Sequence, residues 1–132
     1  MSSEPFTCLV ADGSATAREL ICAIVESAGL ILCEAGDLNG ALALACLHCP
    51  DLFIIDTAID DAHGLYAIEQ FRRVTRRAHI VAIALTGERY GAHPDVLRAA
   101  GFAHSISKPV KASQLRAVLT ELLNRPDVYR TS

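Results

Sequence analysis

Apolar residues gather along this chain into two kinds of run. Five are short and nearly continuous: Phe6 to Ala11, Leu30 to Glu34, Leu52 to Ile55, Ile80 to Leu85 and Phe102 to Ile106. Runs of this length between turn formers suit strands buried on both faces. The longer segments between them carry apolar residues at helical spacing, so the pattern predicts a β/α unit taken five times. In the last segment Leu115, Val118, Leu119, Leu122 and Leu123 form one stripe. In the first, Leu20, Ile21, Ile24, Val25 and Ala28 share a face, Ser14 is placed to cap the amino end, and Gly29 to take the left-handed conformation that ends a helix. Pro94 and Gly101 bracket the fourth helix in the same way. The second is expected from Asp37 to His48 although Gly40 costs about 1 kcal/mol relative to alanine, and the third from about Gly64 to Arg76.

Strands that are apolar throughout and separated by helices imply a parallel sheet covered on both faces by right-handed crossovers. The expected fold is α/β, a doubly wound three-layer domain around a five-stranded parallel sheet, whose ligands bind outside the carboxyl ends of the strands. A length of 132 residues suits one domain. Residues 1–132 are therefore expected to form a single unit, packed from about 5 to 124, with 125–132 as a frayed tail. No repeat, linker or low-complexity tract interrupts it, and the expectation is that no separate output domain is present.

Composition narrows the function more than the fold. Apolar residues make up 52% and charged residues 20%, which suits a compact chain rather than a disordered one. The start, MSSEPFT, is not a basic segment followed by an apolar one, and no apolar run approaches the ~20 residues of a membrane span. A cytoplasmic location without membrane contact is expected. A net charge of -3, with no helix-turn-helix pattern or stacking aromatics, argues against nucleic acid as a partner. The five cysteines are an odd number, and Cys8 and Cys33 lie in apolar runs, so no structural disulfide is expected. Cys46-Leu47-His48-Cys49 has no second pair to complete a zinc or redox site, and the five histidines show no ligand spacing. The arginines 72, 73, 76 and 77 sit where positive charge complements a helix carboxyl end.

Chemistry enters at the strand ends. Asp12 follows the first strand, Asp56 the third, Thr86 the fourth and Lys108 the fifth. Any one alone has a structural explanation, and an aspartate after a strand is most often a helix cap. Together, two carboxylates, a hydroxyl and an ammonium group at one edge supply what phosphoryl transfer to a carboxylate requires: a nucleophile, a metal anchor and donors to the equatorial oxygens.

Leu9-Val10-Ala11-Asp12, Ile54-Ile55-Asp56 with Gly64 eight positions on, Ala84-Leu85-Thr86 and Ser107-Lys108-Pro109 together resemble the receiver domains of response regulators in two-component signalling. Ser14-Ala15-Thr16-Ala17-Arg18 is similar to the usual start of their first helix. The resemblance spans nearly the whole chain and implies the flavodoxin-like (βα)5 receiver fold. It implies Asp56 as the phosphoacceptor that attacks a phosphohistidine, Thr86 bonded to the phosphoryl group and Lys108 paired with its oxygens. It further implies Mg²⁺ held by Asp12, Asp56 and the backbone carbonyl of Ala58, and a cis peptide between Lys108 and Pro109. The implied partners are a histidine kinase or histidine phosphotransfer protein upstream and an effector protein downstream. The chain would be a monomer or weak homodimer, and no enzyme beyond its own phosphorylation and dephosphorylation.

Three positions depart from the family pattern. Gly13 stands where receivers carry a second acid, Asp60 where they usually carry proline, and Ser105 where they usually carry an aromatic side chain that turns inward on activation. The first and third support an alternative, a pseudo-receiver that acts as an interaction module without phosphate. A phosphatase of the haloacid dehalogenase type would need a second acid two residues after the nucleophile, where this chain has Ala58. A nucleotide-binding flavodoxin-like protein would need a phosphate loop, and Asp12-Gly13-Ser14-Ala15-Thr16-Ala17 is not one.

Overall fold

The computed structural model describes residues 6–87 and 93–124. The expected tail, 125–132, lies outside the described residues. Five strands alternate with helices: β1 (Thr7–Ala11), α1 (Ala15–Ser27), β2 (Ile31–Ala35), α2 (Leu38–His48), β3 (Leu52–Asp56), α3 (Ala67–Thr75), β4 (Val81–Thr86), α4 (Pro94–Ala99), β5 (His104–Ser107) and α5 (Ala112–Leu123). All pairings are parallel, in the order β2-β1-β3-β4-β5. The doubly wound α/β fold with a five-stranded parallel sheet is therefore the one expected. The chain reverses its direction of winding between β1 and β3, so the ends of these two strands flank the crevice.

Successive strand residues point to opposite faces, and two cores follow. Val10, Ile54 and Ile83 pack with Ile21, Val25, Leu115 and Leu119 from α1 and α5. Leu9, Phe53, Ile55 and Ala84 pack with Leu38, Ala41, Ile68, Phe71 and Leu97 on the other face. Every residue of β3 is buried, whereas β2 and β5, at the sheet edges, are only partly covered. The helix ends use the chemistry anticipated for them. Ser14 Oγ accepts from the Ala17 amide at 3.2 Å, and Gly29 and Gly101 take φ of 89° and 104° after α1 and α4.

Two expectations shift. Four strands end one residue later than their apolar runs, on Ala35, Asp56, Thr86 and Ser107, because parallel pairing engages the backbone and is indifferent to the side chain. The third helix does not begin at Gly64. A turn over Ile59–Ala62 and a 3-10 turn over His63–Tyr66 come first, and α3 starts at Ala67. Gly64 lies so close to β3 that a Cβ there would fall 2.1 Å from the Asp56 carbonyl oxygen, and this contact holds the chain in a tight turn where a regular helix was expected.

Phe53 and Phe71 meet in the second core with ring centroids 4.7 Å apart, both fully buried. Phe71→Ala is expected to lower the unfolding free energy by about 3–5 kcal/mol, read as a fall in the urea midpoint.

Candidate functional site

The register of the sheet brings residues from distant parts of the chain to one edge. Asp12 follows β1, Asp56 ends β3, Thr86 ends β4 and Lys108 follows β5. Lys108 Nζ lies 3.1 Å from Asp12 Oδ1, 2.9 Å from Asp12 Oδ2 and 3.4 Å from Asp56 Oδ2. One ammonium group thus serves two carboxylates. Asp12 is wholly buried and Asp56 nearly so, while the lysine side chain keeps 24% of its surface open to solvent. The Lys108–Pro109 peptide is cis, as the resemblance implied. The Lys108 amide donates to the Thr86 carbonyl at 2.7 Å. Thr86 is buried at the strand end and is joined to Lys108 through the backbone, not through its hydroxyl.

Backbone amides fix both carboxylates. Asp12 Oδ1 accepts from the Ser14 amide at 2.8 Å, and Asp56 Oδ1 from the Ala58 amide at 3.0 Å. Asp12 Oδ2 touches the ammonium but makes no hydrogen bond of good geometry. Burial pushes the Asp12 carboxyl above the usual carboxylate range. The hydrogen bonds from Lys108 and Ser14 pull it back only in part, and the charge of Asp56 adds to the rise.

Several contacts around the site carried no sequence signal. Arg18 donates through Nη1 to the Asp12 carbonyl at 2.7 Å and pairs through Nε with Glu34 at 3.2 Å, which ties the loop after β1 to β2. Thr57 donates through both its amide and its hydroxyl to the Leu85 carbonyl, at 3.0 and 3.1 Å. Asp60 Oδ2 accepts from the Leu38 amide at 2.9 Å. A short polar residue between two apolar runs gives no hint of which strand or helix it will reach.

As a magnesium site the donor set is sparse but compatible. The ion needs near-octahedral oxygen coordination and readily keeps several waters. Asp12, Asp56 and the Ala58 carbonyl offer three donors, although that carbonyl also accepts from the Ala62 amide at 3.2 Å. Gly13 offers none, and Asp60 is engaged at α2. Among the described residues no group of three or more acidic, histidine or cysteine side chains is arranged to hold a metal ion. These residues fit a weakly held ion whose shell is largely water.

The family described as the response regulator receiver domain matches residues 8–120. The chain belongs to that family. Over 119 residues this receiver domain is 27% identical to the phosphate regulon transcriptional regulatory protein PhoB of Escherichia coli, an alignment covering 89% of the chain and 51% of PhoB. The chain spans about half the length of that relative. An uncharacterised 14.6 kDa protein of Leptolyngbya boryana is 28% identical over 107 residues, covering 81% of the chain and 82% of that protein. Among solved structures, the receiver domain of the response regulator AraT from Geobacillus stearothermophilus superposes with a TM-score of 0.79 at 23% identity, over 94% of this chain and 97% of that one. A CheY-like receiver protein from Methanospirillum hungatei gives 0.80 at 21% identity, over 94% and 98%. Receivers of this family are signalling modules of two-component systems and generally bind Mg²⁺. No helix among the described residues is long and apolar enough to cross a membrane.

A carboxyl whose folded-state pKa lies above its unfolded value takes up a proton on folding between the two. Ionised Asp12 therefore opposes folding most fully above its raised pKa. That cost fades as pH falls through the raised value towards the ~3.9 of an unfolded aspartate. Asp12→Asn is expected to raise the thermal midpoint at neutral pH, with the gain shrinking as pH falls through this window. A lower midpoint at neutral pH would mean that the ion pair with Lys108 outweighs the cost of burial.

Proposed function

We propose that this receiver domain accepts a phosphoryl group on Asp56 from a histidine kinase or phosphotransfer protein and signals through contacts with an effector protein. The observation that carries the reading is the shared Lys108 ammonium between Asp12 and Asp56 at the β1/β3 crevice. It is an arrangement of charge for holding a phosphoryl group beside a carboxylate.

Asp56 Oδ1 is engaged with the Ala58 amide, which leaves Oδ2, beside Lys108, to attack. Attack forms the P–O bond of an acyl phosphate as the P–N bond of the phosphohistidine breaks, and the departing imidazole takes up a proton. Lys108 offsets charge on the phosphoryl oxygens, and Thr86, at the neighbouring strand end, is placed to donate to one of them. Mg²⁺, when bound through Asp12, Asp56 and the Ala58 carbonyl, would neutralise charge on the same oxygens. Beside Lys108 lies a cleft of about 300 Å³ lined mainly by apolar groups, including Ala17, Leu20, Pro109 and Val110. Leu20 is 46% exposed there, which suits a donor protein bringing its histidine over the crevice.

A second reading, a pseudo-receiver regulated without phosphate, draws on Gly13. That position has space for an acid, because a Cβ there would meet only the Gly36 carbonyl oxygen, at 3.8 Å.

Incubation with a small phosphodonor and Mg²⁺ separates the two readings. Intact mass is expected to show the gain of one phosphoryl group by the wild type and none by Asp56→Asn, and a wild type that gains none at any Mg²⁺ concentration is a pseudo-receiver. Gly13→Asp is expected to tighten Mg²⁺ binding by an order of magnitude or more, measured by calorimetric titration, because ligand charge sets affinity at such sites.

A further inference from the structure

The loop that follows Asp56 is held at both ends. Thr57 is tied to the Leu85 carbonyl, and Gly64 is pressed against the Asp56 carbonyl with no room for a side chain. Between these anchors Asp60, Asp61 and Ala62 take φ of 50°, 58° and 74°. Left-handed backbone is strained for residues with a Cβ, and a run of three persists only where surrounding contacts hold it. Proline, the usual family residue at position 60, could not adopt it, since its ring fixes φ near -65°.

The holding contacts come from Asp60. Its Oδ2 accepts the Leu38 amide at 2.9 Å, and its carbonyl meets His63 Nδ1. Leu38 N is the first amide of α2, one of the four that a helix cannot satisfy from within, and it lies at the positive end of the helix dipole. Asp37 caps the Gly40 amide of the same helix at 2.7 Å. The amino end of α2 is therefore completed by a carboxylate from the phosphoacceptor loop, and the near end of that loop, the Ala58 amide, is bonded to the Asp56 carboxylate itself.

From this we infer that the receiver passes the state of Asp56 to helix α2 through the carboxylate of Asp60. The inference rests on the proposed phosphorylation of Asp56. A phosphoryl group carries about -1.5 to -2 of charge and converts the carboxylate that the Ala58 amide holds into an acyl phosphate. The loop must re-aim between its two anchors. The strained residues give first, and Asp60, carrying like charge, changes its hold on α2. On the opposite side, β5 carries only the small, exposed Ser105 at the position where receivers usually have an aromatic side chain. Asp60 is on this account a positioning residue and touches no reacting atom.

The test uses the isotope-labelled full chain with a small phosphodonor and Mg²⁺, following amide resonances and hydrogen exchange beside intact mass. In the wild type the Leu38 and Gly40 amides are expected to shift and Leu38 to change its exchange protection once Asp56 is phosphorylated. Asp60→Ala and the milder Asp60→Asn are expected still to gain the phosphoryl group while the α2 amides stay in place. Phosphorylated wild type with α2 unmoved and β5 shifted overturns the inference and leaves the Asp56 reading intact. So does an Asp60 variant that moves α2 as the wild type does. A wild type that gains no phosphoryl group overturns the Asp56 reading and this inference together.

Discussion

Two carboxylates at the centre of the crevice depend on one ammonium group. Asp12 is sealed from solvent and Asp56 nearly so, and Lys108 reaches both. Charges buried without a partner are costly, whereas a partner inside a low-dielectric crevice interacts far more strongly than in water. Even with Lys108 and the Ser14 amide in place, burial keeps the Asp12 carboxyl above its ordinary range. The site thus holds negative charge at a cost to folding, and a positively charged group held a few ångströms away is the minimum that makes it tolerable.

Much of the surrounding structure serves this arrangement. The sheet order places β1 beside β3, so their ends deliver the two carboxylates side by side. The bond from the Lys108 amide to the Thr86 carbonyl sets the level at which the lysine leaves the sheet. Arg18 braces the loop after β1 from the other side. Gly64 lets the chain after Asp56 fold back against the strand, and the tight turn there displaces the start of α3 from Gly64 to Ala67.

The departures from the family pattern have physical consequences. Gly13 removes a carboxylate from a site that has room for one, so the donor set suits a loosely held Mg²⁺ ion. Asp60 replaces a residue that could not take left-handed φ, and its carboxylate completes the cap of α2. Ser105 leaves the edge strand β5 with a small exposed side chain. The loop after β3 thereby gains a contact with α2, while β5 carries no aromatic side chain at position 105.

The sequence by itself determined the alternation of strands and helices, the parallel α/β class, and the four chemically equipped positions Asp12, Asp56, Thr86 and Lys108. It could do so because burial imposes a period on apolar residues and because the four motifs occur in order at strand ends. Capping by Ser14 and the turn glycines Gly29 and Gly101 were legible for the same reason, since their chemistry is local. Only the tertiary structure decided which strands are neighbours, that one lysine serves both aspartates, that Gly64 must lie against β3, and that Asp60 reaches α2. These are contacts between residues as far apart as Asp12 and Lys108. They follow from how the sheet is wound, and a hydrophobic period carries no record of a hydrogen bond made across it.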